Sequence, residues 1–114
     1  MTKFYTKRIY DPADESDGYR VLVDRLWPRG VSKERAALDE WAKDIAPSTE
    51  LRQWFGHVPE RFEEFSEKYI DELKSKPVAQ AVFDNWRTFN KVTILYAAKD
   101  EQHNEAKVLL RLLD

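Results

Sequence analysis

The chain contains no cysteine among its 114 residues. It therefore cannot form a disulfide, present a thiolate nucleophile or hold zinc through thiolate ligands. It also lacks an apolar run long enough to span a membrane, and its first residues lack the apolar core of a signal peptide. We therefore expect a soluble, cytoplasmic protein with no membrane partner.

An excess of basic charge is absent as well, since the formal net charge is −2 at pH 7. This excludes a general basic coat for nucleic acid, although it leaves room for a local basic patch. Histidine is scarce, and His57 and His103 are the only two. Neither has the close ligand spacing that is typical of a metal site, so we predict no metal ion. The sequence identifies no cofactor.

No repeat, linker or low-complexity segment interrupts the chain, so residues 1–114 are predicted to form a single domain. A domain of this length buries about two thirds of the surface that its unfolded chain exposes. Four tryptophans, five tyrosines and six phenylalanines make that core rich in aromatic side chains.

The most informative stretch is residues 19–30, which read Y-R-V-L-V-D-R-L-W-P-R-G. Its consecutive apolar residues predict a strand, residues 19–25, that is covered on both faces as in a parallel sheet. Because charges are costly to bury unpaired, the strand should leave the core at Asp24 and Arg25. The proline and glycine that follow predict a stiff turn. This turn would hold Arg29 close to the carboxyl end of the strand.

A second apolar run, residues 92–98, also ends in charge, at Lys99 and Asp100. A further strand is predicted over residues 3–9 and carries Lys7 and Arg8 at its end. Helical patterns separate these runs. The succession predicts an α/β fold with a small parallel-type sheet of three or four strands, flanked by about four or five helices.

The helices are predicted from capping residues and apolar spacing. Ser32 and Ser48 are expected to cap helix starts, and Gly56 is expected to end the helix that follows Ser48. Residues 62–73 repeat apolar side chains at helical spacing. Pro77 opens the next helix, for which we predict an inward face and a left-handed cap at Asn90; that face comprises Val78, Val82, Trp86 and Phe89. Residues 38–46 have no clean period and are either strand or loop.

The last helix is predicted to turn Ala106, Leu109, Leu110 and Leu113 inward, with Asp100 or Asn104 as its cap. If strands 19–25 and 92–98 are neighbours, their carboxyl ends meet at one edge of the sheet. In open α/β sheets, ligands bind beyond that edge. The residues that would then share one rim are Asp24, Arg25, Arg29, Lys99 and Asp100.

Four motifs together resemble the YeaO-like family of small bacterial proteins, which is classed as a domain of unknown function. They are K-R-I-Y-D from residue 7, D-G-Y-R-V-L-V-D-R-L-W-P-R-G from residue 17, A-P-S-T-E-L-R from residue 46 and L-Y-A-A-K-D from residue 95. The resemblance covers nearly the whole chain and implies an α/β fold and a bacterial cytosolic setting. It also implies as signature positions Lys7, Arg8, Asp24, Arg25, Trp27, Pro28, Arg29, Lys99 and Asn104.

The chain departs from the family pattern near its last helix. Many relatives follow the asparagine that matches Asn104 with a histidine, whereas this chain has the order His103-Asn104-Glu105. A mechanism that depended on that histidine does not carry over. More distant relatives often carry a cysteine and histidine pair there, and thiol chemistry does not carry over either, because the chain has no cysteine.

Three functions follow as hypotheses. The first is a cytosolic domain that binds a phosphate-bearing small molecule or nucleic acid, because arginine side chains bind phosphate and carboxylate groups through paired hydrogen bonds. The opposing interpretation is that the cations of this region form pairs within the fold; they are Lys7, Arg8, Arg25, Arg29 and Lys99. The second is a metal-assisted phosphate-ester hydrolase or transferase that uses Asp24 and Asp100. The third is an interaction module without a pocket. The predicted ligand-binding residues are Lys7, Arg8, Asp24, Arg25, Trp27, Arg29, Lys99, Asp100 and Asn104.

Overall fold

The two apolar runs form neighbouring strands at the centre of one sheet. The computed structural model describes all 114 residues. Its four strands are β1 (Lys3–Arg8), β2 (Tyr19–Leu22), β3 (Glu40–Trp41) and β4 (Lys91–Tyr96). Their order is β1-β4-β2-β3, and every neighbouring pair is parallel. This confirms the predicted α/β fold and the predicted pairing.

Five α-helices flank the sheet. They are α1 (Lys33–Ala36), α2 (Thr49–Phe55), α3 (Phe62–Lys74), α4 (Pro77–Trp86) and α5 (Glu105–Leu113). Short 3-10 turns occupy Glu15–Asp17, Lys43–Ile45 and Pro59–Arg61. No helix has the length and apolar character that crossing a membrane requires.

The register of the two central strands brings their carboxyl ends together. Val21 pairs with Ile94 and Leu22 with Leu95. The Val23 N–H then donates to the Leu95 carbonyl at 3.2 Å, which extends the pairing by one residue beyond the end of β2. Because the strands are parallel, the charged segments that follow β2 and β4 leave the sheet on the same side.

Both faces of the central strands are covered, as the lack of alternation in their sequences predicts. Val21 and Ile94 belong to a core of 21 buried residues that the helices cover. Leu22 and Leu95 point to the opposite face and join a smaller core of five buried residues. That second core includes Val31, from the loop after β2, and Ala36 of α1.

The helix starts follow the predicted capping residues. The hydroxyls of Ser32 and Ser48 accept hydrogen bonds from backbone N–H groups at the starts of α1 and α2. Gly56 ends α2 in the left-handed conformation, with φ of 54°. Asn104, rather than Asp100, caps α5, because its side chain accepts a hydrogen bond from the Lys107 N–H.

The predicted inward face of α4 is confirmed at Trp86, and Val82 packs against the core, but Val78 does not. Val78 is 45% exposed and Val82 is only partly buried, whereas Ala79 and Phe83 are buried together with Trp86. The sequence of α4 carries apolar residues on two adjacent faces, so its pattern does not decide which face packs inward. The aromatic ring of Phe83, being larger than a valine side chain, lies in the core.

The end of α4 also differs from the prediction. The helix ends at Trp86, and Arg87 caps it with an ordinary φ of −72°. Asn90 does not adopt a left-handed conformation. Phe89 therefore lies outside the helix, and its ring stacks on that of Tyr19 with centroids 4.0 Å apart. This contact ties the turn after α4 to the start of β2.

The ambiguous segment, residues 38–46, contains both kinds of structure. Glu40–Trp41 forms β3, which pairs with β2 at the edge of the sheet. Lys43–Ile45 then forms a 3-10 turn. A strand of two residues is too short to show a period, which explains why the pattern was undecided.

Candidate functional site

A cavity of about 150 Å³ lies beyond the carboxyl ends of β2 and β4. We call it the strand-end pocket. Its walls come from the segments after the two strands, from α2 and the turn after it, from α3 and from the start of α5. Apolar residues form part of the wall. The polar and charged residues that line it are Asp24, Arg25, Arg52, His57, Asn104 and Glu105.

Asp24 joins the ends of the two central strands. Its Oδ2 atom accepts a hydrogen bond of 2.8 Å from the Ala97 N–H, just after β4. Its backbone carbonyl accepts another, also of 2.8 Å, from Nε1 of Trp41. The carboxylate is therefore held at one wall of the pocket.

Two arginines reach the pocket from different segments. Arg25 is anchored, because its Nε donates to the Pro47 carbonyl and one terminal nitrogen donates to the Ala46 carbonyl, both at 3.2 Å. A guanidinium has five N–H donors, so others remain free for a ligand. Arg52, on α2, is exposed, and its side chain forms neither an internal hydrogen bond nor an ion pair. It is an uncommitted positive charge at the mouth of the pocket.

Glu105 is the unusual acid of the site. It is the first residue of α5, and its Oε1 atom is buried with no hydrogen-bond donor. Burial raises the pKa of Glu105 well above its ordinary value, and the charge of Asp24 and a side-chain hydrogen bond to it add to the rise. The nearby charge of Arg52 acts in the opposite direction. Glu105 therefore keeps its proton to a higher pH than an exposed glutamate does.

The pocket thus combines a carboxyl group with a raised pKa, a fixed carboxylate and two guanidinium groups. A protonated carboxyl can donate a hydrogen bond, and an ionised one only accepts. Charge-assisted hydrogen bonds from arginine hold carboxylate and phosphate groups. The arrangement is suited to binding a small molecule that presents oxygen acceptors.

Of the predicted ligand-binding residues, Asp24, Arg25 and Asn104 line this pocket. Lys7 lies elsewhere and forms an ion pair of 3.1 Å with Asp17. The Nε of Arg8 donates to the Ala98 carbonyl at 3.0 Å. The charges of Lys7 and Arg8 are therefore used within the fold.

Two other predicted cations, Arg29 and Lys99, are exposed and do not line the pocket. The carbonyl of Arg29 accepts a hydrogen bond of 3.0 Å from the Tyr10 hydroxyl. Trp27 packs edge-on against Trp41, with ring centroids 5.3 Å apart. Its Nε1 donates to the Val31 carbonyl at 2.7 Å, which holds the loop after β2 closed.

Asp100 has partners of its own, separate from those of Asp24. Its carboxylate accepts from the backbone N–H groups of Gln102 and His103 and contacts Nδ1 of His103 at 2.8 Å. The hydrogen bond from Gln102, followed by that from the His103 side chain, lowers the pKa of Asp100. The structure contains no group of three or more acids and histidines placed to hold a metal ion.

Three polar or charged residues of the pocket were not predicted as ligand-binding residues: Arg52, His57 and Glu105. Two carry a signal in the sequence. Arg52 ends the motif A-P-S-T-E-L-R, and Glu105 stands directly after Asn104, where the resemblance leads one to expect a histidine. His57 follows Gly56 and has a φ of 58°, and only the folded chain shows that this turn faces the pocket.

Comparison with known proteins gives the following matches. A family described as "Inactive DUF488-N3 subclade" matches residues 3–114. "Uncharacterized protein YeaO" of Escherichia coli K12 is 48% identical over 103 residues, which cover 90% of each chain. "Uncharacterized protein Rv3073c" of Mycobacterium tuberculosis H37Rv is 41% identical over 113 residues, which cover 99% of this chain and 95% of the relative. No solved structure matches the chain.

Proposed function

The chain belongs to the inactive DUF488-N3 subclade, and from that premise we propose that it binds a small anionic ligand in the strand-end pocket. The similarity to YeaO confirms the resemblance that the sequence motifs carry. A family described as inactive favours binding over turnover, so we place the function in recognition.

The observation that carries this proposal is the uncommitted charge of Arg52. The charges of Lys7 and Arg8 meet internal acceptors, whereas Arg52 faces a pocket and meets none. Arg25 approaches the same pocket from the segment after β2. Positive groups that converge on a cavity at the carboxyl ends of parallel strands are a common setting for binding anions.

The size of the pocket favours a small molecule over nucleic acid. A cavity of about 150 Å³ can enclose a single phosphate, sulfate or small carboxylate group. The net charge of −2 also opposes the long-range attraction of a polyanion. A phosphate-bearing metabolite is compatible with both facts if its phosphate lies in the pocket and the rest of the molecule extends out of the opening.

The test is titration calorimetry with sulfate, inorganic phosphate and a small dicarboxylate. We expect Arg52→Ala to weaken binding by roughly tenfold or more, because a hydrogen bond to a charged group contributes about 1.5–3 kcal/mol. Lys3→Ala is the matched control, because it removes an exposed positive charge at the start of β1.

Arg29→Ala distinguishes two locations for the ligand. If Arg29→Ala weakens binding and Arg52→Ala does not, the anion binds at the exposed rim with Arg29 and Lys99. If no anion binds to the unmodified chain, the proposed function is wrong at either location.

A further inference from the structure

We propose that the strand-end pocket takes up its anion together with one proton, which Glu105 holds against the carboxylate of Asp24. This inference rests on the proposed function and deepens it, because it names the ligand class. The ligand is a fully ionised oxyanion that offers only hydrogen-bond acceptors, such as sulfate, the dianion of a phosphate monoester or a dicarboxylate. Binding then depends on pH because the protein, and not the ligand, gains or loses the proton.

Glu105 has an unpartnered oxygen inside the fold. Its buried Oε1 atom has no hydrogen-bond donor, and Glu105 and Asp24 line the same cavity. The charge of Asp24 and a side-chain hydrogen bond to it contribute to the raised pKa of Glu105. Two ionised carboxylates in such a position repel each other, and burial removes the water that would separate their charges. One shared proton satisfies both groups, because it turns one acceptor into a donor.

Asp24 and Glu105 are held in place by different elements of the fold. Asp24 is fixed to the end of β4 by the Ala97 N–H. Glu105 is fixed to the start of α5, which Asn104 caps. The two acids therefore come from separate elements that converge on one cavity, and the cavity opens on both. Both acids therefore form part of the pocket wall.

Other ionisable groups surround the acid pair. The cavity is also lined by Arg25 after β2, Arg52 on α2 and His57 after α2. Two tyrosines outside the lining, Tyr69 on α3 and Tyr96 at the end of β4, lie near enough to Glu105 for its charge to act on them. Burial raises the pKa of both tyrosines, so they stay neutral. While the acid pair keeps its proton, the two guanidinium groups outweigh the single carboxylate.

The consequence is a linkage between anion and proton. When the proton leaves, the second carboxylate cancels the remaining positive charge and puts another acceptor next to the acceptors of the ligand. A bound anion in turn favours the protonated pair, because binding and protonation must affect each other equally. Affinity for an oxyanion should therefore fall by up to about tenfold for each unit that the pH rises, once the free pair ionises.

The test is calorimetry with sulfate between pH 5.5 and 8.5, in buffers with different ionisation enthalpies. Sulfate keeps the same charge across this range, so any proton uptake belongs to the protein. We expect uptake to approach one proton per sulfate at pH values where the free pair is ionised. Binding without proton uptake at any pH would overturn the inference and leave the proposed function intact.

Three variants identify the group that takes up the proton. Glu105→Gln keeps a neutral donor of the same shape, so sulfate should still bind, with the proton uptake lost. Glu101→Gln, an exposed position outside the pocket, makes the same charge change and should retain the uptake. His57→Asn should retain it as well, and asparagine tolerates the positive φ there. Uptake that disappears with His57→Asn and survives Glu105→Gln would assign the proton to His57 and overturn the inference.

A second measurement does not depend on any ligand. Carbon-detected NMR of the side-chain carboxyl groups follows the titration of Glu105 in the free chain. We expect its midpoint to lie well above the ordinary pKa of a glutamate side chain. A Glu105 carboxyl that titrates together with the exposed glutamates would overturn the shared proton even if sulfate binds. Failure of the unmodified chain to bind sulfate, with a raised Glu105 midpoint, would instead count against the proposed function.

Discussion

The charged groups at the amino end of β2 and those of the strand-end pocket are arranged in opposite ways. At the amino end, the Asp17 carboxylate accepts from Lys7 and from Arg20, and Arg20 is only 4% exposed. The Nε of Arg20 and one of its terminal nitrogens also donate to the carbonyls of Ala36 and Ala37. Asp17, Lys7 and Arg20 all have partners inside the fold, so this cluster is structural.

In the strand-end pocket, two charged residues lack partners. Glu105 has a buried oxygen without a donor, and Arg52 has no acceptor. The pKa shifts differ in the same way. Burial alone would raise the pKa of Asp17, but hydrogen bonds from the Asp14 N–H, Lys7 and Arg20 lower it. Burial beside another acid raises the pKa of Glu105. A ligand can supply the hydrogen-bond partners that Glu105 and Arg52 lack within the fold.

The largest effect is expected from breaking the satisfied cluster. Asp17→Ala leaves the buried Arg20 guanidinium without its counter-ion, and removing one partner of a buried pair costs about 3–5 kcal/mol. Urea unfolding measures the loss. Glu63→Ala, which breaks the exposed pair with Arg111, should cost no more than about 1 kcal/mol. Equal losses in the two variants would show that the Asp17 cluster is not the structural one.

The turn before β2 and the turn in the loop after it provide the next comparison. Gly18 has a φ of 68°, and a Cβ atom there would lie 2.6 Å from the Lys91 carbonyl oxygen. Gly30 has a φ of 77°, but nothing lies within 4 Å of the added atom. We expect Gly30→Ala to cost about 1–2 kcal/mol from the backbone conformation alone, and Gly18→Ala to cost more because the backbone must also move. Thermal unfolding of both variants tests this order, and equal losses would contradict it.

The Glu105 pair predicts how stability depends on pH. Because its pKa is raised in the folded chain, Glu105 binds a proton that the unfolded chain has released, so the free energy of unfolding should fall as pH rises. The window runs from the ordinary pKa of glutamate up to the raised value, with a slope of at most about 1.4 kcal/mol per pH unit. Glu105→Gln should remove this contribution. Urea unfolding at several pH values measures it, and parallel pH profiles for the variant and the unmodified chain would contradict the prediction.

The smallest effect is expected at Asn104, which lines the pocket and caps α5. Asn104→Ala removes the acceptor for the Lys107 N–H and should cost about 1 kcal/mol of stability. Asn104→Asp keeps an acceptor and should retain most of that stability, as measured by thermal unfolding. A loss in Asn104→Asp as large as in Asn104→Ala would show that the other hydrogen bond, from the Asn104 amide to the Asp100 carbonyl, matters more.

The sheet could be predicted because its signal lies in consecutive residues. The runs V-L-V and V-T-I-L-Y are apolar without alternation, which is sufficient to indicate central parallel strands. The helix caps at Ser32, Ser48 and Gly56 are local as well. The inward face of α4 could be predicted only in part, because two of its faces are apolar and packing against the core selects between them.

The site was predicted only in part, because its residues come from segments far apart in the sequence. Asp24 and Arg25 follow a strand, so topology places them at the edge of the sheet. Glu105 and Arg52 lie on helices, where a charged residue is usually on the exposed face. Only the folded chain shows that the start of α5 is turned toward Asp24.

The account depends on the strand-end pocket being where an anion binds, and an amide NMR titration with sulfate at pH 6 tests this most directly. We predict saturable shifts of the N–H signals of Ala98, Asn104 and Glu105, and their loss in Arg52→Ala. Shifts confined to the exposed loop around Arg29, or no saturable shift at all, would contradict the account.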